Sequence, residues 1–230
     1  MRASVHVADV GVRSALALTR TPPAPGSIPG LRNAEVGQAA PLRSALLPKP
    51  QFGRAVFIGF WEDDDSIDRF VDGHPFAARF ASGWQVRLEP LRAFGTWPGL
   101  PADVPGSRRV DSDGPVAVIT LGRLRASQAV RFLRTSAKAE AAVIEAPGLV
   151  WATGIGRVPK IVATCSLWES ATAAATYAFG RGKPAHSDAI AADEAKPFHH
   201  QEAFIRFRPY GARGHLDGKN PLAEGAPVSI

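Results

Sequence analysis

The stretches 54–71, RAVFIGFWEDDDSIDRFV, and 160–178, KIVATCSLWESATAAATYA, carry one layout. Each is an apolar, β-branched run that closes on Trp-Glu and passes straight into helix-like residues. Trp61 and Trp168 are 107 residues apart (168 − 61). Further on, VRLEP (86–90) aligns with IRFRP (205–209) at an offset of 119 (205 − 86), and Phe94-Gly95 with Tyr210-Gly211. A repeat of this length implies a duplicated unit of about 100 residues, too long for a solenoid.

Within each unit the pattern predicts the same elements. SALALTR (14–20) and PVAVITL (115–121) read as opening strands, rich in apolar residues. Residues 31–47 and 126–144 read as helices, with Ala129, Phe132 and Leu133 at i, i+3, i+4. A second helix follows each Trp-Glu, and Asp63 to Asp65 and Ser170 supply its N-terminal carboxylate and hydroxyl groups. A closing strand follows, with Val86 and Leu88 on one face and Arg87 and Glu89 on the other. GLVWATGIG (148–156) is a clear middle strand of the second unit. Its counterpart LLPKPQFG (46–53) predicts a short or absent strand in the first.

The order β-α-β-β-α-β is that of a ferredoxin-like unit. The expected fold is therefore α+β: two duplicated ferredoxin-like units of the dimeric α/β-barrel type, their two antiparallel sheets packed within one chain. A cavity is expected between the sheets. The expected division is a flexible leader (1–13), a first unit (14–100), a polar, turn-rich linker (101–114), a second unit (115–225) and a tail (226–230).

Composition narrows the function. The net charge is +6, but the arginines are scattered and do not alternate with aromatics, which argues against nucleic acid as a partner. No run of about 18 apolar residues exists, so no transmembrane helix is expected. His6 and Asp9 interrupt the start of the chain in a way a secretory signal does not tolerate. The single cysteine, Cys165, excludes an intrachain disulfide and suits a reducing cytoplasm, the expected location. GIGRVP (154–159) lacks the third glycine and the strand-turn-helix context of a dinucleotide site. Walker, HExxH and paired-cysteine zinc patterns are absent from the sequence.

The change of offset from 107 to 119 places 12 extra residues in the second unit, around GRGKPAHSDAI (180–190). An insertion confined to one copy of a scaffold points to a local site. His186 within it is either a metal ligand or acid/base group, or a polar loop residue. Trp151 on the middle strand is a candidate site liner, while Trp61 and Trp168 read as core anchors. Alternation along IVATCSLW sets Cys165 with Ala163 and Leu167, opposite Val162, Thr164, Ser166 and Trp168. That makes it a buried, inert thiol. Of the adjacent His199 and His200, at most one faces a cavity.

Several segments together resemble the spheroidene monooxygenase family of carotenoid-modifying enzymes. They are GPVAVITLGRLR (114–125), GIGRVP, TCSLWES (164–170), YAFGRGKPAHSDAI (177–190), EAFIRFRPYG (202–211) and DGKNPL (217–222). In the first half the likeness rests on AVFIGFWED, VRLEP and FGTWPG. The resemblance implies a dimeric α/β-barrel-type fold and a heme-dependent monooxygenase that inserts oxygen into a hydrophobic, carotenoid- or isoprenoid-like substrate. Molecular oxygen would be co-substrate, with an electron donor the sequence does not name.

The family's axial histidine lies in the region matching PAHSDAI, which makes His186 the proposed heme-iron ligand. Here Ala185 separates Pro184 from His186, where the family tends to Gly-Pro-His. Arg87 and Arg206, at matching places on the closing strands, would hold a propionate or another carboxylate, or else pair with a helix. Arg181 and Lys183 are alternative propionate partners. Peripheral membrane contact and homo-oligomerisation are both compatible with this reading. Two alternatives stand beside it: a non-catalytic heme or hydrophobic-ligand carrier, and a cofactor-free monooxygenase of the same fold.

Overall fold

The computed structural model describes residues 1–42, 51–106, 114–157, 160–179 and 196–222, without the side chains of 137–141. The first half runs β1 (Arg2–Asp9), α1 (Val12–Arg20), β2 (Leu31–Ala40), β3 (Arg54–Trp61), α2 (Asp64–Gly73), a short α3 (Pro75–Ala78) and β4 (Trp84–Gly95). The second runs β5 (Val116–Leu124), a 3-10 turn, α4 (Ala129–Ile144), β6 (Leu149–Arg157), β7 (Ile161–Trp168), α5 (Ala171–Phe179) and β8 (His199–Gly214). The order β-α-β-β-α-β is thus run twice. All strand pairs are antiparallel, and they close into one barrel in the order β1-β3-β2-β6-β7-β5-β8-β4.

Four expectations are corrected. Residues 2–9 of the expected leader form β1, which is buried on both faces. Ala3, Val5 and Val7 point into the barrel, and Ser4, His6 and Ala8 pack under helices. SALALTR is helical, with Ala15 and Leu18 seated on the sheet at an i, i+3 spacing. Residues 31–40, read as helix, are strand β2, so the middle strand of the first half exists and lies earlier than LLPKPQFG. The sheets do not merely pack open faces together but hydrogen-bond at both edges, through β4–β8 and β2–β6.

The barrel interior is core at the described residues. Phe60, Trp84, Leu88, Ile119, Leu121, Cys165, Leu167, Ile205 and Phe207 are all fully buried there. Each such side chain contributes about 1.5–3 kcal/mol by leaving water. One mouth is plugged by Trp97 of the FGTWPG turn and the following Leu100, with the Arg123 guanidinium 5.1 Å above the indole. The other is plugged by DGKNPL and the Leu216 before it: Leu216 and Leu222 are buried, and Asn220 Oδ1 accepts from Trp84 Nε1 at 2.9 Å. Arg54 clamps that turn by bridging Asp9 (2.8 Å) and Asp217 (2.6 Å).

Between the halves, the described β2–β6 ladder covers only Gln38–Ala40 against Gly154–Gly156. The seam continues inside the barrel as an ion pair, Arg157 to buried Glu35 at 2.7 Å, with Arg123 at 3.9 Å. Burial raises the Glu35 carboxyl above its ordinary value, and the two arginines oppose that shift. Helix starts are as the residue types dictate. Asp63 Oδ1 accepts from Ser66 N at 2.8 Å, and Ser170 Oγ accepts from Ala173 N at 3.0 Å.

Candidate functional site

Strand register sorts the side chains into rows, because residues paired across a ladder share a face. On the outer face of the first half, one row is Ala34, Gly59, Ser4 and Arg87, and the next is Val36, Phe57, His6 and Gln85. The matching rows of the second half are Ala152, Ser166, Val118 and Arg206, then Gly154, Thr164, Thr120 and Phe204. A further row is Gly156, Val162, Gly122 and Glu202.

The two faces are built differently. Under α1 and α2 the first is sealed: Phe57, Phe70, Phe76 and Phe80 crowd His6, and Phe57 stacks on Phe70 at 5.2 Å. On the second, apolar packing gathers at the Trp168 end, where Val116, Val143, Ala146, Ala171 and Ala174 are buried together. Helix α4 is held at that end by Val143. At its other end Phe132 lies 5.7 Å from Phe198 and 5.3 Å from His199, ring to ring. Between these two anchors the rows of small residues, Thr120, Thr164, Gly154, Gly156 and Val162, are only half-buried. The result is a flat floor beneath a helix that spans it.

Charge marks the same face. Arg206 is 7% exposed and makes no ion pair among the described residues. Burial and the neighbouring charge of Arg92 pull its proton affinity down. A buried cation beside another cation is costly unless an anion joins it. Arg87, its counterpart in the first half, is instead tied to α2 through Asp68 and, at 3.6 Å, Asp64. At the far end of the floor His199 lies over Gly122, where any Cβ would fall 2.5 Å from the imidazole. Its Nδ1 is 3.0 Å from Glu202 Oε2, so the ring is held in orientation. His199 is thus the one of the two adjacent histidines that faces the site. Only the pairing of β8 with β5 shows this, and no pattern in the sequence signals it.

The sequence-derived candidates distribute as follows. Arg206 is on the open face, and Arg87 is committed to a helix. Trp151 points into the barrel and packs on Trp84 at 5.4 Å, so it shares no face with Arg206. Cys165 is fully buried in the interior, and desolvation pushes its thiol up to about 12, out of range for thiolate chemistry. His186, Arg181 and Lys183 lie outside the described residues. Among the described residues no cluster of three or more His, Cys, Asp or Glu forms a metal site.

Two β-α-β-β-α-β halves closed into one antiparallel barrel define an α+β fold whose two outer faces, among the described residues, are packed differently. No protein-family model matches the chain. It is 32% identical over 183 residues to spheroidene monooxygenase of Rhodobacter capsulatus, covering 76% of this chain and 75% of that protein. With the spheroidene monooxygenases of Cereibacter sphaeroides and Rubrivivax gelatinosus it shares 28% and 30% identity. The chain belongs to the spheroidene monooxygenase family. It spans 56% of the length of the Cereibacter relative and 66% of the Rubrivivax one. Among solved structures, an aldoxime dehydratase in complex with butyraldoxime aligns at TM-score 0.47 and 10% identity over 90% of this chain and 79% of that one. An anthrone oxidase-like protein aligns at TM-score 0.36 and 12% identity over 95% of each chain.

Proposed function

We propose that the protein is a heme-dependent monooxygenase acting on a hydrophobic, isoprenoid-type substrate, with its cofactor seated on the open outer face of the second half. The observation that carries this is the contrast between Arg87, paired to its helix, and Arg206, buried at the equivalent place without a carboxylate. The described residues fit such a cofactor on two counts. A floor of Thr120, Thr164, Gly154, Gly156 and Val162 is made of small and β-branched residues, with Leu42 packed beside Gly154. Arg206 supplies the cation that a propionate requires.

Heme, when bound, supplies the oxygen and one-electron chemistry. The chain's part is binding and exclusion of water. Arg206 holds a carboxylate, the floor and α4 enclose the ring, and His199, oriented by Glu202, offers an imidazole at the far edge. His186 is the proposed iron ligand, with Arg181 and Lys183 as further propionate partners. Molecular oxygen is the co-substrate. The buried, reduced Cys165 supports the cytoplasm as the compartment. We further propose that the two halves descend from one duplicated unit, supported by the repeated element order and the shared rows of Trp61 with Trp168 and Arg87 with Arg206.

Titration of the purified protein with hemin tests the reading. A Soret band is expected, lost or shifted in His186→Ala and weakened several-fold in Arg206→Ala. Arg87→Ala leaves it unchanged. A protein that stays colourless yet turns over substrate is a cofactor-free oxygenase. One that binds heme tightly but consumes no oxygen with reductant and substrate is a carrier. Either result overturns the proposal.

A further inference from the structure

Strand β4 serves both halves. Its first part, Trp84–Leu88, pairs with β1, but past a register shift at Leu91 it pairs with β8 alone among the described strands. That shift sets Arg92 beside Arg206 and Phe94 beside Phe204, on the open face of the second half. The row of small floor residues therefore continues outward as Gly154, Thr164, Thr120, Phe204, Phe94. Phe94 is 59% exposed and Phe204 41%, with ring centroids 6.4 Å apart. Two adjacent phenyl rings held toward water forgo part of the stabilisation that burial would supply.

The neighbouring rows say what shape of molecule covers them. On one side of the strip stand Arg92 and Arg206, and on the other Glu202. Rows on one face are two residues apart, roughly 7 Å, so the apolar strip is one side chain wide. Across five strands at about 4.8 Å spacing it is about 19 Å long. A strip one side chain wide fits a slender, extended apolar chain and is too narrow for the broad face of a protein partner or a membrane surface.

We infer that Phe94 and Phe204 form the loading platform for the substrate, gripping one end of an elongated apolar chain whose other end reaches toward the cofactor on the Thr120–Thr164 floor. These two rings then determine specificity for chain length. The assignment rests on the open face being the active face, and its test separates the two claims. All-trans-retinol, a slender polyene, is the probe, followed by its fluorescence, and hemin binding is followed in parallel on the same proteins.

The double variant Phe94→Ser/Phe204→Ser is expected to bind retinol at least tenfold more weakly while its Soret titration matches the parent. The variant Phe94→Leu/Phe204→Leu, which keeps an apolar strip, is expected to stay within about threefold of the parent. Retinol affinity equal in the serine variant and the parent overturns the platform, whatever hemin does. Loss of retinol binding in a protein that takes up no hemin sustains the platform and removes the heme assignment. An unchanged unfolding midpoint is expected for both variants, because both rings are exposed, and a drop of several degrees in the serine variant would instead make them core residues.

Discussion

The row that holds Val36, Phe57, His6 and Gln85 on the first half holds Gly154, Thr164, Thr120 and Phe204 on the second. Backbone pairing is the same in both rows, so the difference between the two faces lies in side-chain volume. The indole anchors show the same economy of means. Trp61 Nε1 donates to Ser4 Oγ at 2.9 Å, across the ladder from Gly59. Trp168 Nε1 donates to Ser166 Oγ at 2.9 Å, across from Val118. The hydroxyl sits on different strands in the two halves, while the bond it accepts is the same. The halves thus share this anchor and differ at the row below.

The comparison is broken most directly by truncating both faces. Phe57→Ala is expected to cost about 3–5 kcal/mol in chemical denaturation, because a sealed site cannot collapse. Thr164→Ala on the open face should cost under about 1 kcal/mol. Equal costs would mean that both faces are core.

Acid distinguishes the halves next. Enclosure and the nearby charge of Arg87 lower the His6 imidazole from 6.5 to about 3, while its counterpart Thr120 does not titrate. Between those pH values the unfolded chain binds the proton and the folded one does not. The stability His6 confers is therefore full above pH 6.5 and is lost as pH falls toward 3, with a slope approaching ~1.4 kcal/mol per pH unit. His6→Leu should flatten that part of the stability–pH curve.

A smaller effect is expected from Ser4→Val, which strands the buried Trp61 N–H at a cost of about 1–3 kcal/mol. Adding Gly59→Ser recreates the second half's arrangement. Part of the loss should return, though not all, because a Cβ at position 59 falls 2.5 Å from the indole nitrogen. The double-mutant cycle reads that coupling. Smallest of all, Asp68→Asn removes the Arg87 partner. Asp68 is half-exposed and its carboxyl is held low by Arg87, so the loss should stay under about 1 kcal/mol and shrink with added salt.

Much of this was readable in residue order. The Trp-Glu repeat located β3 and β7 and the helices after them, and the offset of Arg87 to Arg206 proved a true register match. The misreadings share a cause. β1 was taken for a leader because Ser4, His6 and Asp9 look solvated. In the fold Ser4 and His6 are buried and bond each other at 3.0 Å, and Asp9 pairs with Arg54. β2 reads as part of a helix because apolar positions across 31–47 fall at helical spacing. Its Asn33 and Glu35 face inward to a polar patch at the barrel mouth, which local propensity does not register. Cys165 was legible from alternation alone, and the open face was not. It required knowing which strands pair, since Gly154, Thr164 and Thr120 become neighbours only through the ladders.

The two joins between the halves are unequal, and that has a dynamic consequence. β4 and β8 are paired along eleven described positions, whereas β2 and β6 meet along three, reinforced by the Glu35–Arg157 ion pair. Among the described residues the shorter ladder has fewer hydrogen bonds to break and is the one expected to open first. Amide protons of Gln38–Ala40 and Gly154–Gly156 should therefore exchange with solvent before those of β4 and β8. Gly154 and Gly156 are also the inner edge of the small-residue floor, so the stretch expected to open first is the border of that floor.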